Sequence, residues 1–392
     1  MSMSAEINHN VEWDLAVELS FESVVPKSAV QLPLAQAINM VLAQDLTSDI
    51  DLPPAHTAMM DGYAVFGQGP WRIVGELHAG NFLPYLETGC ALKVSTGAHL
   101  PPHCSFVIPQ EMATLFEGDV ASKSSFTPGQ HIRQPGDEAL AGESIAAAGT
   151  LLTPAIAGLA ASSGIDEVSV YQSPTVAVVV TGSELATAGT PGPGQIRDSL
   201  SVQVTPWSQY LGAKVNSSVN CADNLTELCA AITKADGDIV VVTGGSSFGE
   251  HDYLRPALEQ LGAIYVVSEI WMRPGHPSLL AKLPDGKLVA GLPGNPLAAL
   301  VSFMTVVAPA LRGLSGQSEY RMGKIALAKD FACDRTRVVP IVVSSGMAEM
   351  TEFRGSAMLR GLSHADALGV ISPGDNPAGT LIRVLPLPWR VN

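Results

Sequence analysis

Between Ser173 and Gly316 short apolar runs alternate with amphipathic stretches, and no other feature of the 392-residue sequence limits the possible folds so strongly. Thr175–Val180 reads TVAVVV, similar runs occur at Asp238–Thr243, Ile264–Val267 and Leu288–Ala290, and a further strand is expected near Lys214–Val219. Runs that are apolar at every position and rich in β-branched residues suit strands buried on both faces. The stretches around Ser201–Leu211, at Asn224–Lys234, Asp252–Leu261 and Pro296–Leu311 carry helical spacing and supply the cover. The expectation is an α/β domain with a mostly parallel sheet, whose ligands sit at the carboxyl ends of its strands.

The flanks have a different texture. Apolar residues at helical spacing predict helices over 12–24 and 28–45, the second carrying Leu32, Leu34, Ala37, Ile38 and Leu42. From Asp49 to about Ser144 short alternating segments are broken by Gly and Pro, which predicts an all-β insert. Ile145 to Val170 returns to strand and helix, so one small domain is expected to be interrupted by the β insert. After Gly316, β-branched runs such as Val338–Val343 and Leu381–Pro386 predict a small β domain of barrel size.

The loops that follow the predicted parallel strands collect an unusual set: TGSE with Glu184, then Asp198 and Ser199, Asp223, TGGSSFGEHD (Thr243–Asp252) and LPGNP (Leu292–Pro296). Gly244, Gly245, Ser246 and Gly249 offer backbone and hydroxyl donors without bulk, which suits a phosphate. The run lacks the Lys-Ser/Thr of a Walker loop and the spacing of a dinucleotide fingerprint, and a tight strand-to-helix turn is the plain alternative. In LPGNP, Asn295 suits a helix N-cap and Pro296 a first helical turn, so exposed amides are expected at the crevice. Capping is likewise the plain alternative for Asp223 and Asp252. As a group, however, Glu184, Asp198, Asp223, Glu250 and Asp252 would repel an anion unless a hard cation stood between, and Mg²⁺ shared with ligand phosphates is the usual solution. Arg273 and His276 of MRPGHP are the expected cations.

Charge narrows the ligand further. With 22 Lys+Arg against 37 Asp+Glu, a formal charge of −15 disfavours nucleic acid and anionic membrane surfaces. The mean hydropathy is positive, but the most apolar long stretch, Ile145–Gly164, is interrupted by Thr150, Thr153, Pro154 and Ser162, so no spanning helix of ~20 apolar residues is expected there. The N-terminus shows no basic start followed by an apolar run, so a cytoplasmic protein is expected. Five scattered cysteines without a CxxC pair suggest small buried residues and not disulfides or a thiolate metal site.

TAMMDGYAV (Thr57–Val65), STGAHLPPHCSFVIPQE (Ser95–Glu111), IRQPGDE, TGSEL, GQIRDS, TGGSSFGEHDY, RPGHP, GLPGNP and RGSAML (Arg354–Leu359) follow one another in an order that resembles the molybdopterin molybdenumtransferase family, the MoeA type also represented by the C-terminal domain of gephyrin. The resemblance covers nearly the whole chain. It implies a homodimer of multidomain chains: 1–48 as N-terminal helices of a small discontinuous linker domain, 49–143 as a β-rich insert, 144–172 as the return of the small domain, 173–316 as the α/β molybdopterin-binding domain with its parallel sheet, and 317–392 as a C-terminal β-barrel. It implies Mg-dependent insertion of molybdate into adenylylated molybdopterin with release of AMP, in a cleft between the α/β domain of one chain and the insert of the other. Molybdopterin adenylyltransferase and molybdoenzymes are further partners it suggests.

Residue by residue, the resemblance assigns Asp61, Glu184 and Asp198 to catalysis, and Glu184 and Asp198 to Mg²⁺. It assigns Thr96, Gly97, Asp223, Gly244, Gly245, Ser246, Gly249, Asp252, Arg273, His276, Pro293, Gly294 and Pro296 to ligand binding. The sequence departs from the family where K-P-G-K-P becomes Arg273-Pro-Gly-His276-Pro, where G-E-D becomes Gly136-Asp137-Glu138, and where the Asn after the D-S/T pair becomes Leu200. A paralogue that carries molybdopterin or molybdate without turnover is therefore the alternative from another class, and an adenylyltransferase the third.

Overall fold

The computed structural model describes residues 9–81, 85–244 and 252–390. They form two compact units, one of the chain up to Val30 together with Tyr171 onward, the other of Gln31–Val170.

In the first unit, Lys214–Cys221, Thr175–Thr181, Ile239–Thr243 and Leu288–Leu292 lie side by side and parallel. The side chains of the three inner strands alternate between two buried layers, as strands with period two must, whereas Lys214–Cys221 at the edge is largely exposed. Val176, Val178, Val180, Ile239 and Val241 enter one layer; Val179, Val240, Val242 and Val289 enter the other. Continuous apolar runs were therefore the correct sign of a sheet covered on both faces. Beyond Leu288–Leu292 the direction reverses. Leu279–Lys282 pairs antiparallel with Leu288–Leu292 and with Ile264–Ile270, and His9–Val11 completes the row. The strand at Leu279 is an addition to the expected set.

One helical stretch, Pro296–Leu314, is long and apolar enough to cross a membrane by length and composition, with a mean hydropathy of 1.8. In this fold 94% of that window is buried. The N-terminal helix Trp13–Glu22 lies against it: Trp13, 1% exposed, donates from Nε1 to Thr305 Oγ1 at 3.0 Å.

The helix expected over 28–45 does not form. Ala29–Pro33 is a strand and Leu34–Ala37 a single helical turn. Pro33 sits at the N-cap of that turn, and Asn39, at φ 67°, leaves the helical region after it. The apolar spacing there serves extended segments instead.

The second unit carries the expected β insert, a six-stranded sheet in the order Phe106–Pro109, Gly62–Val65, Cys90–Val94, Trp71–Leu77, Asp119–Ala121, Thr114–Phe116. Tyr63 and Val65 enter one of its apolar layers, Ala64 the other. The C-terminal segment of the first unit closes into a five-stranded barrel: Thr336–Ser344, Met347–Met350, Gly323–Leu327, Leu381–Pro386 and Ala367–Ile371, the last pairing back onto the first. All five cysteines are free. Cys221 and Cys229 are buried as expected, whereas Cys90, Cys104 and Cys333 are half-buried.

Candidate functional site

The carboxyl ends of the parallel strands open into a cavity of about 540 Å³. Thr181, Thr243, Glu184, Arg197, Asp198, Gly244, Gly294, Asn295 and Pro296 line it, together with Ala357 and Leu359 of the barrel segment. Thr181 Oγ1 donates to Thr243 O at 2.9 Å, joining neighbouring strand ends. Leu185–Ala186 pairs in parallel with Ile196–Arg197, with Glu184 just before the first of these short strands and Asp198 just after the second.

The carboxylates are not equivalent. Asp198 is 6% exposed, and its Oδ1 accepts from Leu200 N at 2.9 Å and Ser201 N at 3.1 Å, capping the helix Ser201–Tyr210. It lines the cavity as well, so capping and ligand contact share one side chain. Asp223 does not cap the following helix as the alternative reading expected. Asn224 does so, accepting from Glu227 N at 2.8 Å, while Asp223 Oδ2 accepts from Ser183 N at 2.7 Å and ties down the loop that carries Glu184. Asp223 therefore acts on the site through Ser183. Asp252 precedes the helix Leu254–Gln260, which begins two residues later than the apolar spacing suggested.

The amides expected to greet an anion are largely engaged. Leu297 N and Ala298 N donate to Ser356 O of the barrel segment at 2.9 and 3.2 Å, and Pro296 has no N–H, so the helix start is closed by protein. Gly244 N donates to Leu292 O at 3.0 Å. Gly244 is needed for another reason: its φ is +84°, and a Cβ there would come within 2.8 Å of Thr181 Oγ1. Gly294 and Pro296 line the cavity; Pro293 does not. Gly245, Ser246, Gly249 and Glu250 lie outside the described residues.

Arg273 and His276 are likewise absent from the cavity wall. Among the described residues the cation that lines it is Arg197, whose Nη1 donates to Ala186 O at 2.7 Å. Arg197 stood in the GQIRDS motif beside Asp198, and its charge was the available signal. Thr181, Thr243, Ala357 and Leu359 were not legible as site residues, because their role depends on which strand ends and which barrel segment meet.

In the second unit Asp61 lies beside Thr96, the neighbour of Gly97. Asp61 Oδ1 accepts from Thr96 N at 2.7 Å and from Thr96 Oγ1 at 2.8 Å. These two bonds, the backbone one first, hold the exposed Asp61 carboxyl below its usual pKa, so it is ionised at neutral pH. Gly97, at φ +78° with open space beside it, shapes the turn.

Comparison with known proteins follows this architecture from end to end. The chain matches the MoeA N-terminal region (domain I and II) over residues 11–164, the probable molybdopterin binding domain over 177–313 and the MoeA C-terminal region (domain IV) over 324–387. It is 32% identical to the molybdopterin molybdenumtransferase of a Nostoc species across 93% of this chain and 92% of that one. The chain belongs to the molybdopterin molybdenumtransferase family. The Haemophilus influenzae molybdopterin molybdenumtransferase is 34% identical across 76% of this chain and 75% of its own. A crystal structure of the molybdopterin biosynthesis MoeA protein of Pyrococcus horikoshii covers 96% of this chain and 99% of its own, with a TM-score of 0.76 and 27% identity. As a member of this molybdopterin molybdenumtransferase family, the chain is a transferase of molybdenum cofactor biosynthesis, and its cavity lies in the segment matched to the molybdopterin binding domain, closed by the MoeA C-terminal region.

Proposed function

We propose that this enzyme transfers molybdenum from molybdate to adenylylated molybdopterin with Mg²⁺ and releases AMP. The single observation that carries the reading is the meeting of Glu184, Asp198 and Arg197 in one cavity at the carboxyl ends of parallel strands. A volume of about 540 Å³ is in the range of a small-molecule site. Arg197 offers a permanent charge to a phosphate, and Glu184 and Asp198 offer carboxylates.

The donor set fits a magnesium that comes with its ligand. No group of three or more His, Cys, Asp or Glu among the described residues could hold a metal alone. Two carboxylates, with water and ligand phosphates completing the shell, suit Mg²⁺. Glu184 and Asp198 would hold it, and it would neutralise charge on the phosphoanhydride. The chain's own residues do the rest. Asp198 keeps one oxygen on the helix start and turns its side chain to the cavity, Ser183 and Asp223 hold the Glu184 loop, and Arg197 orients the phosphates. Water cleaves the phosphoanhydride, giving AMP and the pterin phosphate, while the two dithiolene thiols form bonds to molybdenum and one oxygen of molybdate leaves with their two protons as water. We assign Asp61, ionised and fixed by Thr96, a ligand-positioning role. We take the working unit as a cytoplasmic homodimer that exchanges its pterin with an adenylyltransferase and with molybdoenzymes.

Purified protein is incubated with adenylylated molybdopterin, Mg²⁺ and molybdate. AMP release that requires molybdate supports the proposal. Tight pterin binding without AMP identifies a carrier, and consumption of ATP with unmodified molybdopterin identifies an adenylyltransferase. Sedimentation at twice the 40.9 kDa chain mass supports the dimer, and a monomer at working concentration refutes it.

A further inference from the structure

The charged lining of the cavity leaves part of its surface without a purpose. Beside Glu184, Arg197 and Asp198, the side chains of Leu185, Ile196, Leu200 and Leu359 also line it. Each is placed by its own segment. Gly182 seats Leu185: its φ is +139°, and a Cβ there would lie 2.8 Å from Leu185 Cγ and 2.9 Å from Cδ1, so the turn needs glycine for that side chain to settle over it. Leu200 is buried, and its N–H donates to Asp198 Oδ1 at 2.9 Å. Leu359 comes from the barrel segment, where its carbonyl accepts from Ser363 N at 2.9 Å at the end of the turn Arg360–Ser363.

Leu200 belongs to the main core, and Leu185 and Leu359 pack against that core, so its apolar surface continues into the cavity. Ile196 differs. It is 61% exposed, although it stands next to Arg197. A phosphate, an oxyanion or a hydrated magnesium gains nothing from such a surface, whereas apolar area left open to water is unfavourable and is retained at ligand sites where a part of the ligand covers it. The faces of an aromatic ring are apolar and its edges carry the polar atoms. A flat ring therefore suits the aliphatic lining, with its phosphate toward the charged one.

We propose that Leu359, together with Leu185, Leu200 and Ile196, forms the platform for a planar nitrogen heterocycle of the ligand, which makes Leu359 a specificity-determining residue supplied by the barrel segment. The inference rests on the function proposed above, whose substrate carries such a ring in both its adenine and its pterin.

Isothermal titration calorimetry of the whole chain with Mg²⁺ tests this with AMP, a pterin monophosphate and ribose 5-phosphate, which keeps the phosphate and lacks the ring. Wild type should bind a ring-bearing ligand about tenfold or more tightly than ribose 5-phosphate, and Leu359→Ala should remove most of that preference while leaving ribose 5-phosphate unchanged. Leu359→Met, close in volume, should retain it. Ile196→Ser, at an exposed position that folding does not depend on, should lower the preference by about threefold. Loss confined to AMP seats the purine on the platform and loss confined to the pterin phosphate seats the pterin, and either supports the proposal. Equal loss for all three ligands marks a structural leucine and overturns it, as does a wild-type chain without ring preference or an unchanged preference in Leu359→Ala; should that variant fail to fold, an unchanged preference in Ile196→Ser overturns it. Molybdate-dependent AMP release with wild-type KM in Leu359→Ala sinks this inference alone. Ring-selective binding without AMP release sinks only the proposed function.

Discussion

The two ends of the parallel sheet use the same chemistry for opposite purposes. At the amino end Asp238 precedes the strand Ile239–Thr243. Its Oδ1 accepts from Lys27 Nζ at 2.8 Å, and its Oδ2 from Lys27 Nζ at 2.6 Å and from Thr175 N and Oγ1, each at 2.7 Å. Both oxygens are consumed by protein. At the carboxyl end Glu184 and Asp198 line a cavity, and Asp198 commits Oδ1 to the backbone. A carboxylate saturated by its own chain stabilises, whereas one left partly unsatisfied beside a cavity is available to a ligand. Parallel sheets favour this division because loops leaving the strands' carboxyl ends converge there.

The largest test of that contrast is Asp198→Ala, expected to lower molybdate-dependent AMP release about 100-fold, the scale of losing one electrostatic group in an active site, and stability by about 1 kcal/mol through the lost cap. Glu184→Ala should match the activity loss without moving the melting temperature; full activity in either variant would remove that carboxylate from the mechanism. At the other end Asp238→Asn should cost about 2 kcal/mol, less than breaking a fully buried pair because Lys27 and Asp238 are partly exposed, and leave kcat unchanged. A fall in kcat at constant fold would erase the contrast.

The pH dependence sharpens it. Burial raises the Asp238 pKa, but the bonds from Lys27 and Thr175 outweigh it and the net direction is down. A carboxylate whose folded pKa lies below its unfolded value of about 3.9 adds stability above that pH and loses it as pH falls through the folded value. Chemical denaturation from pH 6 to pH 3 should therefore show wild type and Asp238→Asn converging at the acid end; parallel curves would refute the pairing. The smallest expected effect is Gly244→Ala. Strain at positive φ and the approach to Thr181 should cost about 1 kcal/mol by urea midpoint, and an unchanged midpoint would show that the strand end yields without cost.

The legible and illegible parts of the site divide by range. The loops after TVAVVV and Asp238–Thr243 were readable because period and turn chemistry are local, and Asp61 with Thr96 was readable through motifs in the insert. The role of Asn224 in place of Asp223 turned on one residue of register at a helix start. The closure of the Pro296 helix by Ser356 O joins residues about 60 positions apart in sequence, and nothing near either one announces it. The exclusion of Arg273 from the cavity has the same origin, since its strand partner is Arg337.

By itself the sequence determined that a parallel sheet would be buried on both faces, that a β insert and a terminal barrel would flank it, and that carboxylates would gather in the loops after its strands. These follow from period, β-branching and turn residues, which act within a few positions. Only the tertiary structure decided which carboxylate oxygens remain for a ligand, which amides are already taken and which arginine enters the cavity. Hydrogen bonds and like-charge contacts are settled by which distant segments touch, and the free energy of burying a polar group depends on the partner it finds there.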